Sequence, residues 1–239
     1  MIREDDLQYK GLKLLQNSDE YCFTSDAVLL SSFVRAKSSD TVVDFGAGNG
    51  VICILVSAKT NCAKVVGIES QTSAAELARQ NVTLNNLVGK VEIVNDDIAR
   101  ACDIVGKESV EVVVCNPPYF AKQSGMTRLT PSVALARHEG SCDLRQIIEM
   151  AASILKFGGK MFMIHKSERL AEALTHLSNN NLQPKKLTFI YPKQSKGADT
   201  FVVEAKKGAK PGLQIESLVV YDDNGEYTRE AKILYNIND

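Results

Sequence analysis

Residues 41–50 read TVVDFGAGNG, and this stretch decides the fold. An apolar run, Thr41–Phe45, ends in a turn with glycines at positions 46, 48 and 50, and apolar residues at helical spacing follow. Glycine lets a backbone turn sharply and approach a bound molecule closely. The stretch therefore predicts a strand, a tight turn suited to a ligand, and a helix, although a glycine-rich turn without a ligand would show the same local pattern.

The same alternation continues along the chain. Further apolar, β-branched runs predict strands at Lys64–Glu69, Val91–Asn95, Val110–Cys115 and 160–165, and the segments 49–59, 72–86 and about 143–156 have helical patterns. Apolar strands separated by helices indicate a parallel sheet that is covered on both faces. We therefore predict an α/β protein with a doubly wound, mostly parallel sheet.

The two ends of the chain differ from this core. Residues 186–191 and 200–206 predict an antiparallel hairpin at one sheet edge, and 213–221 a further small β element. Residues 9–16 predict a strand and 24–35 a helix. We divide the chain into an N-terminal extension packed on the core (1–37), a central domain (38–206) and a C-terminal β extension of that domain (207–239).

Composition excludes several classes of protein. Hydrophobic residues make up 44% of the 239, which is globular, and no apolar run approaches the ~20 residues of a membrane helix. The polar, acidic N-terminus shows no signal sequence, so we expect a cytoplasmic protein without membrane attachment. Six scattered cysteines without a CxxC pair, with only three histidines, argue against a metal site. The net charge of −1 excludes a wholesale polycation but not a local basic face.

The glycine motif distinguishes between cofactors. The nicotinamide fingerprint, counted from Gly46, needs a small residue at position 51, where this chain has Val51, so a dehydrogenase is disfavoured. The D-x-G-x-G-x-G form resembles the first motif of class I S-adenosylmethionine-dependent methyltransferases, which have a Rossmann-like fold. The resemblance implies that Asp44 anchors the loop and contacts the methionine end of S-adenosylmethionine, while the glycines leave room for the amino acid and ribose (Gly46, Gly48, Gly50).

Two acidic positions after the next strands complete this cofactor pattern. Glu69 ends its strand, where a carboxylate can accept hydrogen bonds from two ribose hydroxyls. After the third strand, Asp97 is the first candidate to accept the adenine amine, Asp96 is the second, and Ile98 provides an apolar wall. The chain has the strand, the three glycines and these carboxylates in the order that the cofactor pattern requires. A glycine-rich turn that binds no cofactor is therefore the weaker interpretation.

The predicted strand Val110–Cys115 runs directly into Asn-Pro-Pro-Tyr-Phe at 116–120. This looks like the [D/N/S]-P-P-[Y/F/W] motif of amino methyltransferases. An exocyclic amine is a poor nucleophile, and the Asn116 side-chain oxygen and the Pro117 carbonyl could accept its two hydrogens and aim its lone pair; Asn116 would also border the cofactor. Pro118 stiffens the loop, and Tyr119, with Phe120, offers a flat aromatic face on which a nucleobase could stack. The motif indicates that the methyl acceptor is an amine, an amide or a ring nitrogen, without saying which. The alternative without a function is a proline turn that simply ends a strand.

Several weaker features have two interpretations. Asp26 is either part of a helix cap or a cofactor contact. Arg137 and His138, with Arg128, are either solvated loop charges or substrate contacts. Residues 183–210 carry seven lysines against two acids, among them Lys193 and Lys196, which either form a solvated face or contact phosphates.

Five segments together resemble one family: YCFTSDAVLL, DFGAGNG, CNPPYF, ARHE and the P-K-x-x-K-G-A-D hairpin. They look like the bacterial adenine-N6 methyltransferases that act on valine tRNA beside the anticodon. This resemblance implies methyl transfer from S-adenosylmethionine to the N6 amine of an adenine in tRNA, and it leaves monomer or homodimer open.

Other functions stay possible on the sequence. One is N5-glutamine methylation of a protein release factor, although residues 1–37 are too short for the N-terminal helical domain of those relatives. Another is guanine-N2 methylation of ribosomal RNA. A third is a cofactor-binding scaffold subunit without activity, against which the intact Asn116 and Tyr119 argue.

Overall fold

The computed structural model describes residues 2–17, 25–117 and 143–237. Pro118, Tyr119, Phe120, Arg137 and His138 lie outside the described residues. In chain order the elements are β1 (Ile2–Asp6), β2 (Lys13–Asn17), α1 (Ser25–Phe33), β3 (Thr41–Phe45), α2 (Val51–Lys59), β4 (Lys64–Glu69), α3 (Thr72–Leu84), β5 (Val91–Asn95), α4 (Ala101–Val105), β6 (Val110–Cys115), α5 (Leu144–Ile154), β7 (Leu155–Lys166), α6 (Leu170–Asn179), β8 (Leu182–Lys193), β9 (Thr200–Lys207), β10 (Gln214–Tyr221) and α7 (Arg229–Tyr235).

Eight of these strands form one twisted sheet in the order β10-β8-β9-β7-β6-β3-β4-β5. The strands β5, β4, β3, β6 and β7 are parallel, β9 is antiparallel to both β7 and β8, and β10 is parallel to β8. The chain moves outward in one direction from β3 to β5 and in the other from β6 to β7. The strand order therefore reverses between β3 and β6, which is where doubly wound sheets bind ligands, outside the carboxyl ends of the strands.

Alternate residues of each central strand enter different cores. Val42 and Val112 pack with the helices α1, α2 and α3 on one face, and Val43 and Val113 pack with α4, α5 and α6 on the other. This alternation explains the continuous apolar runs of the strands, since both of their faces are buried. The predicted doubly wound, mostly parallel sheet is confirmed. No helix within the described ranges is long and apolar enough to cross a membrane.

The C-terminal third differs from the prediction in its placement. The antiparallel hairpin of β8 and β9 is confirmed, but β9 inserts between β7 and β8, so the hairpin does not form the sheet edge. The edge is β10, so the predicted small β element at 213–221 is a full parallel strand of the same sheet. The helix α7 follows it and buries Ala231. Long-range pairing decides this order, and local pattern carries no information about it.

Several element boundaries also differ. The predicted strand at 9–16 begins at Lys13 and pairs with β1, which the sequence analysis did not identify. The predicted helix at 143–156 ends at Ile154, because the backbone of Leu155 is extended and begins β7. The helix α6 was also not predicted, although its buried residues Ala173 and Leu177 have the i, i+4 spacing of a helix face.

Candidate active site

The carboxyl ends of four neighbouring parallel strands bring the predicted motifs to one edge of the sheet. The glycine loop follows β3, Glu69 ends β4, Asp97 follows β5, and Asn116 follows β6. Phe45 and Cys115 are register partners in β3 and β6, so the glycine loop and the Asn-Pro motif leave the sheet side by side. The structure thus places the predicted cofactor loop next to the predicted acceptor loop.

The three glycines of the loop have different surroundings. All have positive φ angles, +72° at Gly46, +55° at Gly48 and +84° at Gly50, which other residues adopt only with strain. A Cβ atom added at Gly46 or Gly48 would meet nothing within 4 Å, whereas at Gly50 it would lie 3.2 Å from Ala78 Cβ. Gly46 and Gly48 therefore border open space that a ligand could fill, and Gly50 serves the close packing of α2 against α3.

Glu69 is buried and connects the glycine loop to β4. Its Oε2 accepts a hydrogen bond from the Gly48 N–H at 2.8 Å, and its Oε1 accepts one from the Gln71 N–H at 2.8 Å. Each carboxylate oxygen accepts two hydrogen bonds, so each keeps one lone pair for a ribose hydroxyl. The carboxylate thus both shapes the loop and has capacity left for a ligand.

The end of β5 is a network of short-range hydrogen bonds. The Asp97 Oδ1 accepts the Ala99 N–H at 2.8 Å and caps a 3-10 turn, and Ile98, half-buried, packs against the second core. Asp96 is occupied at both oxygens, by the Asp97 N–H at 2.8 Å and by Arg100 at 3.0 Å. Both carboxylate oxygens of Asp96 therefore serve this turn.

Asp44, the last polar residue of β3, is buried, with 1% of its surface exposed. The Cys53 thiol donates to its Oδ2 at 3.3 Å, and Oδ1 has no hydrogen-bond partner among the described residues. Burial raises the pKa of Asp44 to about 7; the hydrogen bond from Cys53 opposes this, and the charge of Glu69 adds to it. Burial also raises the pKa of Cys53, so the thiol is a donor and not a thiolate.

The sequence analysis did not single out Asn81, which is fully buried on α3. Its Nδ2 donates to the carbonyls of Asn49 in the glycine loop and Leu15 in β2, both at 3.0 Å, and its Oδ1 accepts the Leu15 N–H at 2.6 Å. Asn85, one turn later, exchanges two hydrogen bonds with the backbone of Lys13. The sequence signal for this contact was a pair of asparagines at i, i+4 in the predicted helix 72–86. In the structure the two side chains attach the β1–β2 hairpin beside the cofactor loop.

The remaining predicted contacts have mixed positions. Asp26 lies in the first turn of α1, and its charge acts on Tyr235 of α7, whose pKa is raised mainly by burial. Lys193 ends β8, which is parallel to β7 and β6. Lys193 and Lys196 therefore lie on the side of the sheet where these parallel strands have their carboxyl ends, as Asn116 does.

The other lysines of residues 183–210 do not join that edge. Lys186 pairs with Glu216 at 2.8 Å, and Lys207, near the opposite end of β9, pairs with Glu108 at 2.8 Å and donates to two main-chain carbonyls. Lys185 donates to the carbonyl of Lys210. The lysines that lie close together in the sequence are therefore divided in space between the two ends of the β8–β9 hairpin. Only the end with Lys193 and Lys196 lies on the side of the sheet from which Asn116 emerges.

Comparison with known proteins agrees with this geometry. The chain is 26% identical over 208 residues to the tRNA1(Val) (adenine(37)-N6)-methyltransferase of Shewanella baltica (strain OS195), covering 86% of each chain. It is 29% identical over 174 residues to the protein of that name from Shewanella halifaxensis, covering 72% of this chain and 70% of that one. A predicted O-methyltransferase from Agrobacterium tumefaciens has a similar fold, with a TM-score of 0.69 at 23% identity over 88% of this chain and 95% of that chain. The family model "Methyltransferase small domain" matches residues 23–186. Because that match spans well over half of the chain, the protein belongs to the methyltransferase small domain family.

Proposed function

We propose that this protein transfers a methyl group from S-adenosylmethionine to the exocyclic N6 amine of an adenine in tRNA, in the anticodon loop of a valine tRNA. The observation that carries the proposal is the register of Phe45 with Cys115, which sets the cofactor loop beside the Asn-Pro motif. Relatives over most of the chain are named as enzymes of this activity.

The residues at the loop fit the cofactor. Open space at Gly46 and Gly48 suits its amino acid and ribose, and the spare lone pairs of Glu69 suit the ribose hydroxyls. The Oδ1 of Asp44, which has no hydrogen-bond partner among the described residues, suits a cationic group at the methionine end, and Asp97 with Ile98 suits the adenine. When bound, S-adenosylmethionine supplies an electrophilic methyl group on a sulfonium.

The acceptor loop provides positioning and no strong base, because the nitrogen that gains the methyl group becomes cationic and readily loses its extra proton to water. The Asn116 side-chain oxygen and the Pro117 carbonyl accept the two hydrogens of the amine and direct its lone pair toward the cofactor. Such alignment lowers the barrier because the two reacting groups no longer have to find each other by diffusion. Pro118 restricts the loop, and Tyr119 and Phe120 hold the base by stacking, worth ~1–3 kcal/mol for each base.

The RNA is held by residues outside the reacting centre. We assign Arg137, His138, Lys193 and Lys196 to phosphate or base contacts, and Asp26 to the border of the cofactor site. Lys193 and Lys196 lie at the edge of the sheet from which Asn116 emerges, and neither forms an ion pair with a described side chain. We further propose that the enzyme acts in the cytoplasm, and that residues 38–206 form the catalytic domain, with 1–37 and 207–239 as extensions of it.

Methyl transfer to purified substrates tests the function. The protein should transfer labelled methyl from S-adenosylmethionine to bulk tRNA and yield N6-methyladenosine on nucleoside analysis, and tRNA from cells without the protein should lack that nucleoside at one position. Label found only in a protein release factor, or only in ribosomal RNA as N2-methylguanosine, would contradict the proposal. Cofactor binding without transfer to any of the three would indicate a scaffold.

Asn116→Ala tests the assigned role. We expect transfer to be lost while the affinity for S-adenosylmethionine stays near that of the wild type, because the acceptor amine loses one of its two hydrogen-bond acceptors. Asn179→Ala, at an exposed position in the last turn of α6, is the matched control and should transfer normally. Transfer retained by Asn116→Ala would remove this residue from the mechanism.

A further inference from the structure

A thiol lies under the cofactor loop, although no step of methyl transfer requires one. Cys53, on α2, is fully buried, and its Sγ is 3.3 Å from the Oδ2 of Asp44. The other carboxyl oxygen, Oδ1, is also buried and has no hydrogen-bond partner in the described part of the chain. One side of this carboxyl is thus held by a weak donor, and the other side is left without one.

Gly67 makes the space that the thiol occupies. It is the register partner of Asp44 in the β3–β4 ladder. A Cβ atom at position 67 would lie 2.8 Å from Cys53 Sγ and 2.9 Å from Ala47 Cβ. Any side chain there would push Cys53 away, so this isolated glycine inside a strand allows the thiol to reach the carboxyl.

Among the described groups that face Asp44, only the Cys53 thiol favours a negative charge on its carboxyl. The helix α2 presents Cys53, β4 presents the carboxylate of Glu69, and β6 presents Val114 as the register partner of Asp44. The loop from position 46 to 50 contains only glycine, alanine and asparagine. No lysine, arginine or histidine of the described ranges forms an ion pair with Asp44.

Glu69 and Asp44 therefore have opposite environments. Glu69 accepts two backbone N–H groups, while Asp44, among the described residues, accepts only a thiol and is fully buried. A carboxyl that is buried beside another carboxylate and has only a weak hydrogen-bond donor favours its neutral form. Burial raises the pKa of Asp44 to about 7, which agrees with this assignment.

We propose that Asp44 is protonated in the empty site and releases its proton when the cationic amino-acid end of the cofactor binds against it, and that the Cys53 thiol is a positioning residue that eases this release by donating to Oδ2. The inference rests on the proposed cofactor. The O–H bond of the carboxyl breaks, its electron pair stays on the carboxylate, and the proton goes to the buffer. The cofactor is chemically unchanged, and its ammonium group becomes the counter-ion of Asp44.

Calorimetric titration of the whole protein with S-adenosylhomocysteine measures this proton directly. The ligand keeps the ammonium group and does not react, and the binding enthalpy is compared in two buffers of different ionisation enthalpy. A carboxyl pKa of about 7 predicts release of about 0.9 proton at pH 6, about 0.5 at pH 7 and about 0.1 at pH 8. Affinity should fall about tenfold from pH 8 to pH 6.

Two controls show which group releases the proton. Methylthioadenosine, which lacks the amino-acid end, should bind without releasing a proton, and so should S-adenosylhomocysteine with Asp44→Asn. Wild-type binding enthalpies that do not depend on the buffer between pH 6 and pH 8 would overturn the proposal. No binding at any pH would instead contradict the proposed cofactor, so the two failures are distinguishable.

The role of the thiol is tested with two substitutions. Cys53→Ala removes the donor, so the carboxyl holds its proton more strongly; proton release at pH 8 should rise severalfold, and affinity there should fall. Cys53→Ser keeps a donor and should stay close to the wild type. An alanine variant with the wild-type release profile would remove Cys53 from this role. If the alanine variant does not fold, the serine variant decides alone. A serine variant that releases clearly more protons than the wild type at pH 8 would contradict the role of the thiol as a donor.

Discussion

Replacing Asp44 with asparagine should stabilise the empty protein at alkaline pH. Aspartate is buried at this position, and no cationic side chain of the described residues pairs with it, so its ionised form is costly. Asparagine has nearly the same shape and keeps an oxygen for the Cys53 thiol, but it never ionises. A functional residue would thus be one whose loss improves folding, as is common where a site is built for a ligand.

The magnitude follows from the pKa shift. The pKa of Asp44 is about 7 in the folded protein against 3.8 ordinarily. At ~1.4 kcal/mol per pKa unit, this difference lowers the free energy of unfolding by about 4 kcal/mol at pH 8. Because the folded pKa is raised, the stabilisation by the protonated form is full below pH 3.8 and is lost as pH rises through about 7. Between pH 5 and pH 8 the advantage of Asp44→Asn over the wild type should grow by about 2–3 kcal/mol.

Thermal unfolding without cofactor, at pH 5, 6, 7 and 8, is the assay. For a chain of this size the growing difference corresponds to about 5–10 °C in Tm. Asp223→Asn, at an exposed carboxylate in the turn after β10, is the matched control and should follow the wild type at every pH. Wild-type and Asp44→Asn curves that run parallel from pH 5 to pH 8 would refute the reasoning, because they would mean that Asp44 does not titrate in this range.

Three further experiments test the surroundings of the site. Gly67→Ala should lower the free energy of unfolding by about 1–3 kcal/mol in thermal or urea unfolding, because its Cβ would overlap Cys53 Sγ; adding Cys53→Ala should recover part of the loss, and no recovery would contradict the contact. Glu69→Gln should weaken binding of S-adenosylmethionine about tenfold or more in calorimetry, because the amide cannot accept at both of its ends; unchanged affinity would remove the residue from the ribose. The double variant Lys193→Ala with Lys196→Ala should raise KM for tRNA and make its binding less dependent on salt, with kcat little changed; an unchanged salt dependence would place the RNA elsewhere.

Much of the site could be predicted from the sequence because its parts are local. A glycine loop between a strand and a helix needs only residues 44–50, and the positive φ angles there are a property of glycine itself. The Asn-Pro motif follows its strand directly, and parallel strands bring their carboxyl ends to one edge. These rules were enough to place Asp44, Glu69 and Asn116 together.

The rest depends on contacts between distant segments. The thiol of Cys53 reaches Asp44 only because Gly67, on another strand, leaves space for it, and Asn81 connects to Leu15 and Asn49 across 66 and 32 positions of the chain. The sequence pattern predicts the helix that carries Cys53 but does not say what its thiol faces.

The sequence by itself determined the sheet class, the cofactor loop and the acceptor motif, since each is written in a short run of residues whose backbone preferences are local. The tertiary structure alone decided that β9 lies between β7 and β8, that the basic hairpin presents only its Lys193 end to the site, and that Asp44 is a buried acid. The physical reason is that strand order, charge placement and desolvation are set by what packs around a residue, and those neighbours come from other parts of the chain.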